Sequence, residues 1–269
     1  MGKFNILFEL NKKLFNISAF ALKIQRLPYY LMQRNVILRN RELMSYKKND
    51  VCYVLGLGPS LKNVDFTKIN GDIIALNSFF RFETSVDCKP TFYCIIDDLD
   101  YTNSAYNEIS KAVEAFPDSI FLLNGKYYKE AEKIINNDVA RYYCFMWKGY
   151  FNAKKKIDFC KLLPAMGNVA CFAIMSAFYI GYKEIILLGC DFNSFTSRKE
   201  IHCYDESLNK KMSLAYELFC YSFCADLHTQ LNEYAKINNI KICNATNGSL
   251  IDAYPYDETQ VQYYLNKKG

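Results

Sequence analysis

A chain of 269 residues, 51% of them hydrophobic and 23% charged, has the apolar content to bury a core, which excludes a disordered or fibrous protein. Its net charge of +5 is unevenly spread: ten Lys or Arg stand against three acids in residues 1–50, so that segment carries +7 and the remainder −2. Eleven cysteines sit singly in apolar runs, as at Cys52, Cys94, Cys144, Cys171 and Cys190, without metal-ligand spacing or a preceding secretory signal. The expectation is reduced thiols in a cytoplasmic protein.

In residues 1–50, Phe4, Leu7, Phe8, Leu14, Phe15, Ile17, Leu22 and Ile24 recur at helical intervals with lysines between them, which predicts a basic amphipathic leader. Lys12, Lys13, Lys23 and Arg26 interrupt the apolar run, so it is too broken to span a bilayer. Two roles fit such a helix. It lies on an anionic membrane through residues 1–30, at the inner face of the cytoplasmic membrane, or it packs on protein, in a core or a homo-oligomer. The rest of the chain lacks a basic, aromatic-interleaved pattern, so nucleic acid is not an expected partner. The polar stretch Asn40–Asp50 reads as a linker to one domain over 51–269.

From there strands and helices alternate. Strands are predicted at Val51–Leu55, Asp72–Asn77, Pro90–Asp97, Ser119–Leu123, Ala140–Phe145, Glu184–Leu188 and Lys241–Asn244, and helices at Asn103–Phe116, Lys129–Asn136, Asn168–Tyr179 and Leu208–Ile237. This alternation implies an α/β fold: a Rossmann-like, doubly wound, mostly parallel sheet covered on both faces. Such sheets bind ligands beyond the carboxyl ends of their strands, so the informative residues come just after each strand.

After the first strand, Gly56-Leu57-Gly58-Pro59-Ser60-Leu61 lets the chain turn tightly, either as a plain strand exit or to bring N–H groups against a phosphate. Leu61 stands where a dinucleotide fingerprint has its third glycine, and no Gly-Lys-Ser/Thr follows, so neither a nicotinamide or flavin cofactor nor an ATPase phosphate loop is expected. Asn77 ends the second strand and offers a donor and an acceptor to a nucleotide, or caps the strand. The third strand runs into Asp97-Asp98-Leu99-Asp100, whose acids have the spacing to hold a divalent ion; no resident metal or cofactor is the primary expectation. Gly167-Asn168 opens an apolar helix whose N–H groups can face an anion. Gly189-Cys190-Asp191-Phe192 ends a buried strand with a carboxylate that binds a ligand hydroxyl or caps its loop. Of two histidines, His202 lies with Tyr204 in the loop beyond, where a general base is sought, whereas His228 falls on a long helix as a structural residue.

The opening Gly56-Leu57-Gly58-Pro59-Ser60-Leu61, the strand ending in Asn77, the run Ile180-Gly181-Tyr182-Lys183-Glu184-Ile185 leading to Gly189-Cys190-Asp191-Phe192, and Asn247-Gly248-Ser249-Leu250-Ile251 near the end together resemble a family. It is that of Campylobacter-type lipo-oligosaccharide sialyltransferases, glycosyltransferase family 42. The outline is also similar to bacterial polysaccharide-synthesis proteins and to hydroxymethylpterin diphosphokinases. The chain departs from the sialyltransferase pattern at Met166-Gly167-Asn168, Ile96-Asp97 and Asn193.

The resemblance implies a GT-A-like variant of the fold and metal-independent, inverting transfer of a sialic-acid-like sugar from a CMP-sugar to a lipo-oligosaccharide or capsule acceptor. Gly56, Gly58, Pro59, Ser60, Asn77, Asp97, Gly167, Asn168, Gly189, Asp191 and Phe192 would then bind nucleotide. His202 would be the base, and Tyr204 would assist departure of the phosphate. Two rivals stand beside it. One is an ATP- and magnesium-dependent pterin-type diphosphokinase using Asp97, Asp98 and Asp100; the other is a non-catalytic nucleotide-sugar-binding scaffold in polysaccharide assembly.

Overall fold

The structure, a computed structural model, describes residues 3–97, 108–135, 138–147, 149–164, 167–196, 202–204 and 213–265. Asp98, Asp100 and Met166 lie outside the described residues, as do the starts of the helices expected from Asn103 and Leu208.

In chain order the elements are α1 (Lys3–Met32), α2 (Arg34–Leu38), β1 (Val51–Leu55), β2 (Asp72–Leu76), β3 (Phe92–Ile95), α3 (Glu108–Ala115), β4 (Ile120–Asn124), α4 (Tyr128–Ile134), β5 (Arg141–Cys144), α5 (Val169–Ile180), β6 (Glu184–Leu188), α6 (Leu214–Ile237), β7 (Lys241–Asn244) and α7 (Glu258–Tyr264). The strands form one seven-stranded sheet in the order β5-β4-β3-β2-β1-β6-β7. Every described pairing is parallel, with β1 against β6 in register from Val51↔Glu184 to Leu55↔Leu188.

Alternate residues serve opposite faces of the sheet, because the strand period is two. Cys52, Val54, Ile74, Cys94 and Leu187 meet Phe172 and Ile174 of α5 and Leu227 and Leu231 of α6. Tyr53, Leu55, Tyr93, Leu123 and Leu188 meet Ile109 and Val113 of α3 and Ala131 of α4. With both faces covered, the strands are buried runs and the fold is the expected doubly wound α/β architecture. The strand order reverses between β1 and β6, and beyond the carboxyl ends of such a pair is where sheets of this kind bind ligands.

The segment before β1 is more deeply tied in than a linker would be. Arg39–Tyr46 forms a 3-10 turn in which Asn40 and Leu43 are fully buried, and Asn40 Nδ2 donates to Tyr143 O at 2.9 Å and Phe159 O at 2.8 Å. Helix α1 is docked as well. Lys12 Nζ meets Asp226 Oδ1 at 2.5 Å, Asn16 Oδ1 accepts from Tyr150 N at 2.9 Å, and Arg26 Nη1 donates to Met146 O at 2.8 Å. Its Phe15 ring lies 5.1 Å from that of Tyr150. Among the described residues no helix is long and apolar enough to cross a membrane. None of the eleven cysteines is disulfide-bonded.

At the amino end of the sheet, Asp72 is 2% exposed. Its burial opposes ionisation, but Tyr182 Oη at 2.7 Å and the Lys48 and Asn49 amides at 2.8 and 3.2 Å hold its carboxyl below the usual range. One carboxylate thus ties the entry to β1, the start of β2 and the turn after α5.

His228 is structural, as its helical position predicts. It is fully buried between α5 and α6, with Nδ1 2.8 Å from Tyr254 Oη and Nε2 3.5 Å from Cys171 Sγ. Burial raises the Tyr254 phenol well above its ordinary value, so it keeps its proton and can donate to Nδ1, which puts the imidazole proton on Nε2. The same burial pushes His228 down to about 4 from an ordinary 6.5. Below pH 6.5 the unfolded chain therefore takes up a proton that the folded one refuses. Stability contributed by His228 is complete above that pH and falls by about 1.4 kcal/mol per pH unit as pH drops toward 4. Urea unfolding of wild type and His228→Gln across this window checks it: the variant's stability should lose that part of the slope.

Candidate active site

At the β1 exit the chain runs directly against the β6 exit. Gly56 N donates to Leu188 O at 2.7 Å and Gly58 N to Gly189 O at 2.8 Å. A Cβ at Gly56 would stand 2.3 Å from Gly189 O, and one at Gly58 2.0 Å from Asp191 Oδ2, so both positions require glycine for close approach. Pro59 then opens a 3-10 turn over Pro59–Asn63. Ser60 donates its hydroxyl to Asp191 Oδ2 at 2.6 Å and its amide to Oδ1 at 3.1 Å.

The amides of Gly56, Gly58 and Ser60 are thus bonded to β6 and to Asp191, and the Asp191 carboxylate caps the loop. Burial raises its pKa, and the two Ser60 donors oppose that rise.

The β6 exit is strapped from its other side. Cys190 N donates to Thr246 Oγ1 at 3.0 Å, Ser249 Oγ to Cys190 O at 2.7 Å, and Leu250 N to Asp191 O at 2.9 Å. Residues 247–251, noted for their family likeness, thus hold Asp191 in place. Gly189 at φ +67° and Phe192 at φ +57° make the turn left-handed. The Phe192 ring lies 4.4 Å from that of Tyr221 and 5.5 Å from that of His228, both on α6.

At the end of β2, Asn77 adopts φ +35° and donates Nδ2 to Asp97 Oδ2 at 2.6 Å, which joins the β2 and β3 exits. Because Asp97 can only accept when ionised, the amide orientation is fixed and Oδ1 is left buried without a partner. Tyr93 Oη donates to Asn77 O at 2.7 Å, which holds the unusual backbone.

Residues 202–204 come back onto the glycine loop, since Cys203 N donates to Leu57 O at 2.8 Å. The rings of His202 and Tyr204 stack 5.1 Å apart and 9° from parallel, both half-buried. Arg81 lies with its guanidinium 5.8 Å from the Tyr204 ring centroid and pairs with Glu108, which also accepts from Ser78 Oγ at 2.7 Å. Sequence reasoning missed Arg81 and Glu108. The only signal was an arginine four residues beyond Asn77, while Glu108 lies within the span expected as the helix Asn103–Phe116.

Gly167 and Asn168 serve α5 itself. Asn168 Oδ1 accepts from Cys171 N at 2.9 Å as the helix N-cap, and Gly167, at φ +61°, packs on α6 where a Cβ would stand 3.0 Å from Cys224 Sγ. Among the described residues no three His, Cys, Asp or Glu side chains converge as metal ligands. Asp97 is exposed and bonded to Asn77.

The Ser60–Asp191 pair yields a stability prediction. Ser60→Ala leaves a buried carboxylate with its amide partner alone, which should cost about 1–3 kcal/mol. Asp191→Asn combined with it should cost less than the sum of the single changes, as read from urea midpoints of the four proteins of the cycle.

Solved structures of similar fold include the monofunctional alpha-2,3-sialyltransferase Cst-I of Campylobacter jejuni, at 14% identity over 77% of this chain and 80% of that one, with a TM-score of 0.50. They also include the sialyltransferase CstII of Campylobacter jejuni in complex with a substrate analogue, CMP-3FNeuAc, at 18% identity over 82% and 88%, again with a TM-score of 0.50. At these identities the likeness is one of fold. A search of curated proteins finds no match. The sequence model of the family described as 6-hydroxymethylpterin diphosphokinase MptE-like matches residues 30–196, more than half of the chain and all of β1 to β6, and the chain belongs to that MptE-like family.

Proposed function

We propose that the chain is a glycosyltransferase that moves a sialic-acid-like sugar from a CMP-activated donor to a surface-glycan acceptor, with inversion. The observation that carries the reading is the return of residues 202–204 to the glycine loop through Cys203 N and Leu57 O, 2.8 Å apart. This return supports the reading because a half-buried histidine and a tyrosine then lie near the carboxyl ends of β1 and β6, the end at which sheets of this kind bind nucleotides. The likeness in fold to a sialyltransferase solved with CMP-3FNeuAc supports the donor class.

In this mechanism the glycine loop and Asp191 form a rigid floor, and the nucleotide is met by side chains around it. Asn77 Oδ1, a buried acceptor lacking a donor, suits an exocyclic amine or a sugar hydroxyl. His202 takes the proton of the attacking acceptor hydroxyl as the new glycosidic bond forms on the face opposite the leaving group. Tyr204, steadied by the Arg81 guanidinium over its ring, donates to the departing phosphate, where negative charge develops as the old bond breaks.

A second reading, pyrophosphoryl transfer from ATP to a pterin-like alcohol, is favoured by the family match. It needs a divalent ion at the β3 exit. Asp97 is the one described carboxylate there, and it accepts from Asn77.

Thermal melting with CMP, or with ATP and magnesium, separates the readings. A ligand at about a hundredfold excess over its dissociation constant stabilises by about 2.7 kcal/mol. Stabilisation by CMP is expected; stabilisation by ATP with magnesium alone would replace the first reading with the second. In a CMP-sugar transfer assay, His202→Ala should lower kcat by about 10²- to 10⁴-fold with donor KM unchanged, as befits loss of a base. Binding of CMP without turnover by the wild type in any acceptor screen would leave the protein a scaffold.

A further inference from the structure

Helix α1 has two apolar faces and only one of them is covered. Lys12, Asn16 and Arg26 bond the body and Ala19 is buried against it, while Leu7, Leu10, Leu14, Ile17, Ile24 and Leu31 are 48–69% exposed. They recur at intervals of three, four and seven residues, the spacing of one helix stripe. From Leu7 to Leu31 that stripe is about 36 Å long.

Beside it lies a cavity of about 760 Å³ between α1, the segment after β5 and α6. Seven lysines and four acids line it, together with Trp147 and Tyr150. Lys12 is paired with Asp226 and Lys161 with Asp158, and Lys23 lies 5.0 Å from the Trp147 ring centroid. Lys13, Lys154, Lys155 and Lys156 are exposed and form no ion pair among the described residues. Lys13 and Phe20 line the cavity and sit on the exposed side of α1, so basic hollow and apolar stripe share a rim. The cavity includes none of the residues at the β1 and β6 exits.

We infer that this face docks on an anionic lipid bilayer, with the outer stripe of α1 lying in the headgroup–acyl boundary and the lysine-lined cavity taking lipid phosphates. A helix lying flat at the interface needs apolar residues toward the acyl chains and cations at headgroup level. Here a second element, Lys154–Lys156, supplies most of the cations, because Lys12, Lys23 and Arg26 of the helix are turned to the body. Trp147 and Tyr150 stand at the junction of the two, where amphipathic rings are favoured. A second copy of the chain is a poorer occupant, since a symmetric contact along the stripe would bring together two rims on which seven lysines outnumber four acids. The inference is independent of the reaction proposed above.

The test is co-sedimentation of the full chain with phosphatidylcholine vesicles, with and without phosphatidylglycerol, at low and high salt. Binding is expected only with phosphatidylglycerol and should weaken with salt. Each lysine near a charged surface contributes about fivefold, so Lys154→Gln/Lys155→Gln/Lys156→Gln should reduce partitioning about a hundredfold. Leu14→Ser/Ile17→Ser, on the other part of the face, should also release the protein while leaving its melting temperature unchanged. The inference is overturned if wild type stays in the supernatant, if it binds neutral vesicles equally, or if the lysine variant binds as wild type does. It is likewise overturned if the stripe variant binds vesicles normally and light scattering shows it has turned a dimer into a monomer, for then a second copy covers the stripe.

Discussion

Two strands that are neighbours in the sheet but about 130 residues apart in sequence leave it side by side, and the room between their exits is smaller than a methyl group. At Gly56 the obstacle is the Gly189 carbonyl; at Gly58 it is the Asp191 side chain. The contact at Gly56 is a backbone one, so it cannot relax by a change of rotamer. It sets where β1 ends, where β6 ends and how the chain enters the turn at Pro59.

This close approach produces a floor whose polar groups are paired. Amides of Gly56, Gly58 and Ser60 have backbone carbonyls or a carboxylate as acceptors, and Asp191 is held by Ser60 on one side and by residues 246–250 on the other. Buried groups that are fully bonded rigidify the structure around them. Around this floor, Asn77 has an acceptor to spare and a left-handed backbone held by Tyr93, and residues 202–204 reach the loop through the backbone bond from Cys203 to Leu57.

Much of the fold was legible because it is written in local patterns. The runs at Val51–Leu55, Glu184–Leu188 and Lys241–Asn244 coincide with the observed strands, since continuous apolar stretches bounded by charge or glycine mark strands buried on both faces. His228 was separable from His202 for the same reason: one obeys a helical period and the other lies in a loop. The linker expected at Asn40–Asp50 was misread because its anchoring uses one buried Asn40 amide and one Leu43, too few residues to raise the hydrophobicity of a polar stretch. The glycine loop was located by its spacing but its partners were not. Close approach to a phosphate and close approach to another strand demand the same residue, and the β6 carbonyls that decide between them are remote in sequence.

The leader shows the same limit from the other direction. Amphipathic periodicity identified a helix with apolar and basic positions and left open whether it lies on a membrane or packs on protein. In the structure Lys12 and Arg26 turn inward to Asp226 and the Met146 carbonyl, while Leu10, Leu14 and Ile17 face out. A periodic pattern gives the angle between two faces of a helix, not which face meets the protein. The side that meets the protein carries Phe15, whose ring lies against Tyr150 and Phe223, Asn16, which bonds Tyr150, and the buried Ala19. The exposed stripe is thus a consequence of how the helix is anchored: the bonds that fix α1 to the body are the ones that hold its apolar side in solvent.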